Sequence, residues 1–253
     1  MSYKFETEKV TNDCINWIRE WFNKNAYHKQ AVIGISGGID SAVVAALCSQ
    51  ALGRDRCIGV VMPNICQDDL DMAKIIAREY CEQYVPINIG KAYTDILVQM
   101  TDQLMYVSDQ TRINLPARLR MSVLYAVAQS VGGMVVNTSN LSESYVGYDT
   151  LFGDQCGSLS PLGMLTKTEI REMAKFLKVS ASVINKEPAD GLSGRTDEES
   201  FGFTYNELDN YLRNGGVGVA ANTISEIERK HEMSEYKRQM VRLDTFQYLE
   251  SEL

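Results

Sequence analysis

A run of eight residues, Gly34-Ile35-Ser36-Gly37-Gly38-Ile39-Asp40-Ser41, holds the types that can bind an anion and a cation side by side. Gly37 and Gly38 permit a sharp turn and a close approach of backbone to ligand. Ser36, Ser41 and the free N–H groups of a helix's first turn supply donors, so the run reads as an anion cradle, with phosphate the usual guest. The Walker A loop works the same way, but it needs G-x-x-x-x-G-K-[ST], and no Lys lies within this run. Asp40 stands in the turn instead. A carboxylate beside a phosphate makes sense where a divalent cation bridges the two, because like charges repel in a poorly solvated turn. Farther along, Asn137-Thr138-Ser139-Asn140-Leu141-Ser142-Glu143 brings a hydroxyl and a second carboxylate to the end of a strand, and Thr166-Lys167 opens a helix.

The elements that must position these residues alternate along the chain. Gln30 to Ile33 reads as a short buried strand ahead of the loop, and Ala42 to Leu47 as a helix packed on a sheet. Further strands are expected at Cys57 to Met62, at Tyr84 to Ile89 and at Gly133 to Asn137, with Pro86 favouring an edge or a strand start. Helical spacing marks residues 6–25, 68–80, 91–106, 114–131, 166–176, 205–212 and 223–243. The alternation predicts an α/β fold with a doubly wound, mostly parallel sheet and helices on both faces, which binds ligands at the strand carboxyl ends. Gly147 to Gly157 reads as a loop, and Lys186 to Glu199 as either a mobile lid or a solvated linker.

Length and composition fit one domain over residues 1–253, with 45% hydrophobic and 23% charged residues. The formal net charge of −8 argues against a general nucleic-acid surface. Six cysteines form no C-x-x-C pair and are expected reduced, and two histidines leave little material for a His-based zinc site or a Ser-His-Asp triad. No apolar run approaches eighteen residues and the first residues lack a signal-peptide core, so the expected location is the cytoplasm, with no membrane partner.

The order Ser36-Gly37-Gly38-Ile39-Asp40-Ser41 resembles the pyrophosphate loop of the ATP pyrophosphatases, which cleave ATP between the α and β phosphates to adenylate an acceptor. The later blocks narrow that resemblance. Asn114 to Met121, Thr138 to Glu143, Gly147 to Asp154, Pro161 to Lys167, Lys186 to Leu192 and Thr196 to Tyr205 follow in an order similar to ammonia-dependent NAD synthetase. The resemblance spans nearly the whole chain. It implies an adenine nucleotide alpha hydrolase-like fold and an enzyme that joins ammonia to the nicotinate carboxylate of deamido-NAD through an adenylate made from ATP. It also implies a homodimer.

Carried over position by position, the resemblance implies that Gly34, Ile35, Ser36, Gly37, Gly38, Ile39, Asp40 and Ser41 hold the ATP phosphates, with Thr138 and Lys167 also on ATP. Asp40 and Glu143 would bind Mg2+. Arg118, Asn114, Tyr148 and Lys237 would contact deamido-NAD, and Asp154 would meet ammonia. These types suit the chemistry, since a departing pyrophosphate needs its charge neutralised, and ammonium must lose a proton before it can attack. Alone, Asp154 reads as a turn residue, Glu143 as a carboxylate at a helix start, and Arg118 as a solvated helix charge. The family usually has Lys at Leu151, Asp at Ser158, a hydroxyl residue at Ala189 and His at Tyr236. Those departures keep open a ligase of the same type with another carboxylate acceptor. A non-catalytic adenine-nucleotide module is a third reading, which has no use for Glu143 or Asp154.

Overall fold

The structure is a computed structural model that describes residues 3–65, 70–104, 106–188, 196–240, 244, 245 and 247. Its strands are β1 (Ala31–Gly34), β2 (Cys57–Val61), β3 (Gln83–Pro86), β4 (Met134–Val136), β5 (Leu159–Ser160) and β6 (Asp244–Thr245). They form one sheet in the order β3-β2-β1-β4-β5-β6, and every neighbouring pair is parallel. The helices are α1 (Thr7–Asn25), α2 (Ile39–Leu52), α3 (Leu70–Tyr80), α4 (Gly90–Leu104), α5 (Asp109–Val131), α6 (Leu141–Tyr145), α7 (Lys167–Phe176), α8 (Ala181–Ile184), α9 (Asp197–Phe201), α10 (Tyr205–Asn214), α11 (Ala221–Met233) and α12 (Glu235–Met240). This is the expected doubly wound arrangement.

Side chains alternate across the sheet because successive Cβ atoms point to opposite faces. Ala31, Ile33, Val61, Val136 and Leu159 pack on one face with α1, α2 and α7. Val32, Ile58, Val60 and Val135 face the other way, onto Leu124 and Ala128 of α5. Ten of the fourteen residues of α2 are buried, so this helix carries apolar side chains all round and sits inside the protein. A third cluster, Val146, Phe201, Phe203, Tyr205, Leu208 and Ile227, joins the C-terminal helices to α6.

From β1 the chain winds outward through β2 to β3, then returns to place β4 on the other side of β1. The connections after β1 and β4 therefore part in opposite directions and open a crevice at the carboxyl ends of these strands. The glycine loop leaves β1 there, and Asn137 to Asn140 leaves β4 there.

Four differences from the sequence reading have physical causes. Strands β5 and β6 have two residues each, too few to show a period. Helix α5 begins five residues earlier than expected, where Ser108 accepts the amide of Thr111, and it continues through Pro116. The carbonyl of Arg112, which loses its helical donor at Pro116, accepts the Tyr93 hydroxyl at 3.4 Å. The C-terminal helix divides at buried Ser234, whose hydroxyl donates to the carbonyls of Lys230 and His231. The third strand ends at Pro86 and not at Ile89, while Pro86 lies on an edge strand as expected, where its missing N–H leaves no gap in the ladder. Residues 68 and 69, Cys66, Ala189 to Leu192 and residues 241–243, all used in the sequence reading, lie outside the described residues.

Candidate active site

The glycine loop turns where the sequence places it. Gly37 adopts a φ of 91°, in the left-handed region that glycine tolerates. Ser41 Oγ donates to the Gly38 carbonyl at 3.0 Å, and Ser36 Oγ accepts the Gly38 amide at 3.2 Å, so the two hydroxyls brace the turn. No side chain caps the first turn of α2, which leaves that turn's amides directed at the crevice. Gly34, Ile35, Ser36, Gly38, Ile39, Asp40 and Ser41 all line a cavity of about 280 Å³, together with Thr138, Glu143, Asp154 and Lys167.

One ammonium organises the charges here. Lys167 begins α7 behind a capping box made by Thr166 and Glu169, and its side chain is 2% exposed. Its Nζ donates to Asp40 Oδ2 at 2.7 Å and to Glu143 Oε1 at 2.8 Å. It also lies 5.0 Å from the centroid of the Tyr205 ring, within cation–π range. Burial works to lower the Lys167 pKa, but the Asp40 and Glu143 carboxylates together outweigh it and the net direction is upward. Burial pushes Glu143 up to about 7, with Lys167 opposing and Asp40 and Asp197 adding to the rise.

Two oxygens that share one cation at these distances converge on a point, and a hard carboxylate pair is what Mg2+ takes when phosphate oxygens and water complete its shell. The residues present therefore fit that ion. Among the described residues no group of three or more His, Cys, Asp or Glu side chains could hold a metal without such outside ligands.

Several partners of these groups were not singled out by the sequence. Asn140 caps α6, its Oδ1 accepting the Glu143 amide at 3.0 Å while its Nδ2 donates to Asp40 Oδ1 at 3.0 Å. One amide thus ties both carboxylates together, and the signal for it was an N-cap Asn three residues before Glu. Tyr205 donates its hydroxyl to Asp197 Oδ2 at 2.8 Å, and the same oxygen lies 3.4 Å from Glu143 Oε1. Asp197 also lines the cavity. No local pattern marks Tyr205, which reaches the site from α10.

Asn137 holds the second half of the site. Its Nδ2 donates to the carbonyls of Asp154 and Cys156 at 2.7 and 2.9 Å, and its Oδ1 accepts the Ser139 amide and the Ser160 hydroxyl, each at 3.0 Å. The Asp154 carboxylate accepts the Thr150 amide. Surrounding protein pushes the Asp154 pKa up while that amide pulls it down. Solvent reaches this residue, which stands at the cavity wall. Asn114 accepts the Thr150 hydroxyl at 3.1 Å, and Tyr148 lines the cavity edge-on to Phe201.

Three expected acceptor contacts, Asn114, Arg118 and Lys237, are not among the residues that line this cavity. Arg118 is exposed and donates from Nε to the Leu151 carbonyl at 3.3 Å, whereas Arg120, two residues on, lines the cavity and donates to the Met62 carbonyl at 3.1 Å. Burial lowers the Arg120 pKa, and Asp154 opposes that. Lys237 donates to the carbonyls of Gly147 and Asp149 at 2.7 and 2.6 Å, clamping the loop that leads to Asp154. The Asp149 side chain, 2% exposed, lies 3.7 Å from the same ammonium, and burial pushes its pKa up to about 6.

Known proteins resemble the chain over most of its length. The chain is 42% identical over 238 residues to the NH(3)-dependent NAD(+) synthetase of Finegoldia magna, covering 92% of this chain and 95% of that one. The solved structure of an NMN synthetase from Francisella tularensis superposes with a TM-score of 0.85 at 33% identity, over 96% of this chain and all of that one. An NH3-dependent NAD synthetase from Campylobacter jejuni superposes with a TM-score of 0.77 at 27% identity, over 94% of this chain and 99% of that one. The profile of the NAD synthase family matches residues 10–241, and the chain belongs to that family.

Proposed function

We infer that this chain is a ligase that uses ATP to adenylate the nicotinate carboxylate of deamido-NAD and then joins ammonia to it, yielding NAD, AMP and pyrophosphate. The observation that carries the reading is the Lys167 ammonium held between Asp40 and Glu143 at the mouth of the glycine loop, in one cavity with Asp154. The loop amides and Ser36 and Ser41 take the phosphates, with Thr138 beside them. Asp40 and Glu143 would hold Mg2+, which would supply neutralisation of the pyrophosphate charge. Lys167 has a donor to spare for a phosphate oxygen, since an ammonium has three and the carboxylates use two. Asp154 would bind ammonium at the cavity wall and take its proton. Asn114, Arg118, Tyr148 and Lys237 shape the acceptor side, the last by fixing the 147–149 loop. We also read residues 1–253 as a single domain that works in the cytoplasm as a homodimer.

The test mixes protein, Mg-ATP, deamido-NAD and ammonium and follows NAD and pyrophosphate together. Equal amounts of the two products are expected, with glutamine a poor substitute for ammonium. Pyrophosphate that appears without NAD, or neither product, would overturn the reading. The likeness to a protein named as an NMN synthetase favours a second acceptor, the mononucleotide acid that corresponds to NMN. It is run in parallel, and a higher kcat/KM for it than for deamido-NAD would reassign the acceptor.

A further inference from the structure

Asp209, a carboxylate of α10 that is 4% exposed, touches none of the groups assigned to ATP, metal, acceptor or ammonia. Its Oδ1 accepts the Ser142 hydroxyl at 2.6 Å, and its Oδ2 accepts the Thr168 amide at 2.7 Å. Ser142 Oγ in turn accepts the Lys167 amide at 3.0 Å. Asp209 thus grips the residue before Glu143 and the second amide of α7 directly, and the first amide of α7 through Ser142. The charged tips of Glu143 and Lys167 then meet at 2.8 Å.

We propose that Asp209, acting through Ser142, is a positioning residue that sets the register of α6 against α7 and so places Glu143 and Lys167 for the ATP step. This rests on the reading of those two residues given above. Helix capping alone does not account for the arrangement. Thr166 and Glu169 already form a capping box on α7. A second tie between α10 and α7 exists where Arg213 donates to Glu169 at 2.7 and 2.8 Å and to the Met164 carbonyl at 2.6 Å. A buried carboxylate is disfavoured unless its hydrogen bonds are met, and here the donors that meet them come from two different elements. Only an acceptor with two outward oxygens can bridge those elements at once.

The experiment measures kcat/KM for ATP in pyrophosphate release at saturating deamido-NAD. Calorimetric binding of Mg-ATP and a thermal melt accompany it. A displacement of about 1 Å at a catalytic group can lower a rate on the order of 10²-fold, so Asp209→Ala should lose activity on that scale and bind Mg-ATP more weakly while folded at the assay temperature. Ser142→Ala, which keeps the Thr168 contact, should lose about tenfold by the same reasoning. Adding Lys167→Met to Asp209→Ala should reduce activity much less than it does in the wild type, because both act on one unit. Arg213→Gln should lower the melting temperature and leave kcat/KM unchanged. Unchanged ATP kinetics in folded Asp209→Ala, or in Ser142→Ala should the first not fold, would overturn the proposal. So would full additivity with Lys167→Met, or an equal kinetic loss in Arg213→Gln. A wild type that releases no pyrophosphate overturns the functional reading beneath it instead.

Discussion

Replacing Lys167 by Met keeps the length and most of the volume of the side chain and removes its charge. The ammonium is 2% exposed and its carboxylate partners 18% and 17%. Removing one member of a buried ion pair costs roughly 3–5 kcal/mol, and the partial access of both carboxylates puts Lys167→Met at the low end, about 3 kcal/mol. Against ATP, a lost charged hydrogen bond costs roughly 1.5–3 kcal/mol, or about 10- to 150-fold in kcat/KM. The stability loss should depend on pH in a defined direction. Glu143 is already raised to about 7 by burial despite Lys167, and without the ammonium it must rise further. A carboxyl raised on folding stabilises below its unfolded pKa and gives that up as pH passes its folded value. The deficit of the variant should therefore deepen above about pH 7, where wild-type Glu143 ionises against the ammonium and the variant's does not. Denaturant melts at pH 5 and pH 8 measure this. Mn2+ without nucleotide should raise the melting temperature of Lys167→Met more than that of the wild type, since the cation no longer competes with the ammonium for the two carboxylates. A variant with wild-type melts, wild-type ATP kinetics and no greater response to Mn2+ would refute the argument.

Three further outcomes follow from the same geometry. Asp40→Asn keeps the shape of the loop and loses a full charge at the cation site, so a folded variant should release almost no pyrophosphate; near-normal release would remove Asp40 from metal binding. Asp154→Asn should go on releasing pyrophosphate while forming little NAD, with partial rescue as pH rises toward about 9.5 and more of the nitrogen arrives as neutral ammonia. If both products fall together and alkali does not help, Asp154 supports its loop and is not the base. Asp149 is raised from 3.8 to about 6, so it destabilises the fold as pH climbs through that window. At about 1.36 kcal/mol per pH unit, Asp149→Asn should be more stable than wild type by up to roughly 3 kcal/mol at pH 7 and by nothing near pH 4, and equal melts at both values would count against it.

The parts of the site that could be read from sequence are those where few residue types fit. The glycine loop needs glycine at Gly37 for its φ of 91°, donors at Ser36 and Ser41, and a carboxylate at Asp40, and all four lie between the end of β1 and the first turn of α2. Residues whose role depends on a partner far along the chain were not readable. Asp209 meets Ser142 across 67 positions and Asn140 meets Asp40 across 100, and no local period records either contact. Arg118 and Arg120 show a finer limit. Both sit in one helical block, and only the rotation of α5 decides that Arg120 faces the cavity while Arg118 turns toward Leu151. The same holds for Lys237, for which the resemblance implies a ligand contact and whose position makes it a clamp on two carbonyls.

The charges lining the cavity argue for a cation independently of any motif. Among the described residues that line it, Asp40, Glu143, Asp154, Glu187 and Asp197 stand against Arg120, Lys167 and Lys186. With all of them ionised, five carboxylates face three cations, and a polyphosphate entering unaccompanied would meet a surplus of negative charge in a partly desolvated space. Backbone amides carry only partial charges and do not reverse that balance. On the proposed reading the polyphosphate would bring positive charge with it, and the pair of oxygens that Lys167 now bridges would be where a divalent ion gains most. Such an ion would favour ionised Glu143, whose pKa burial holds near 7, so its binding at neutral pH should release protons. Lys167, relieved of part of its work on the carboxylates, would then be free to turn its donors to the phosphates, and the residues around it need hardly move.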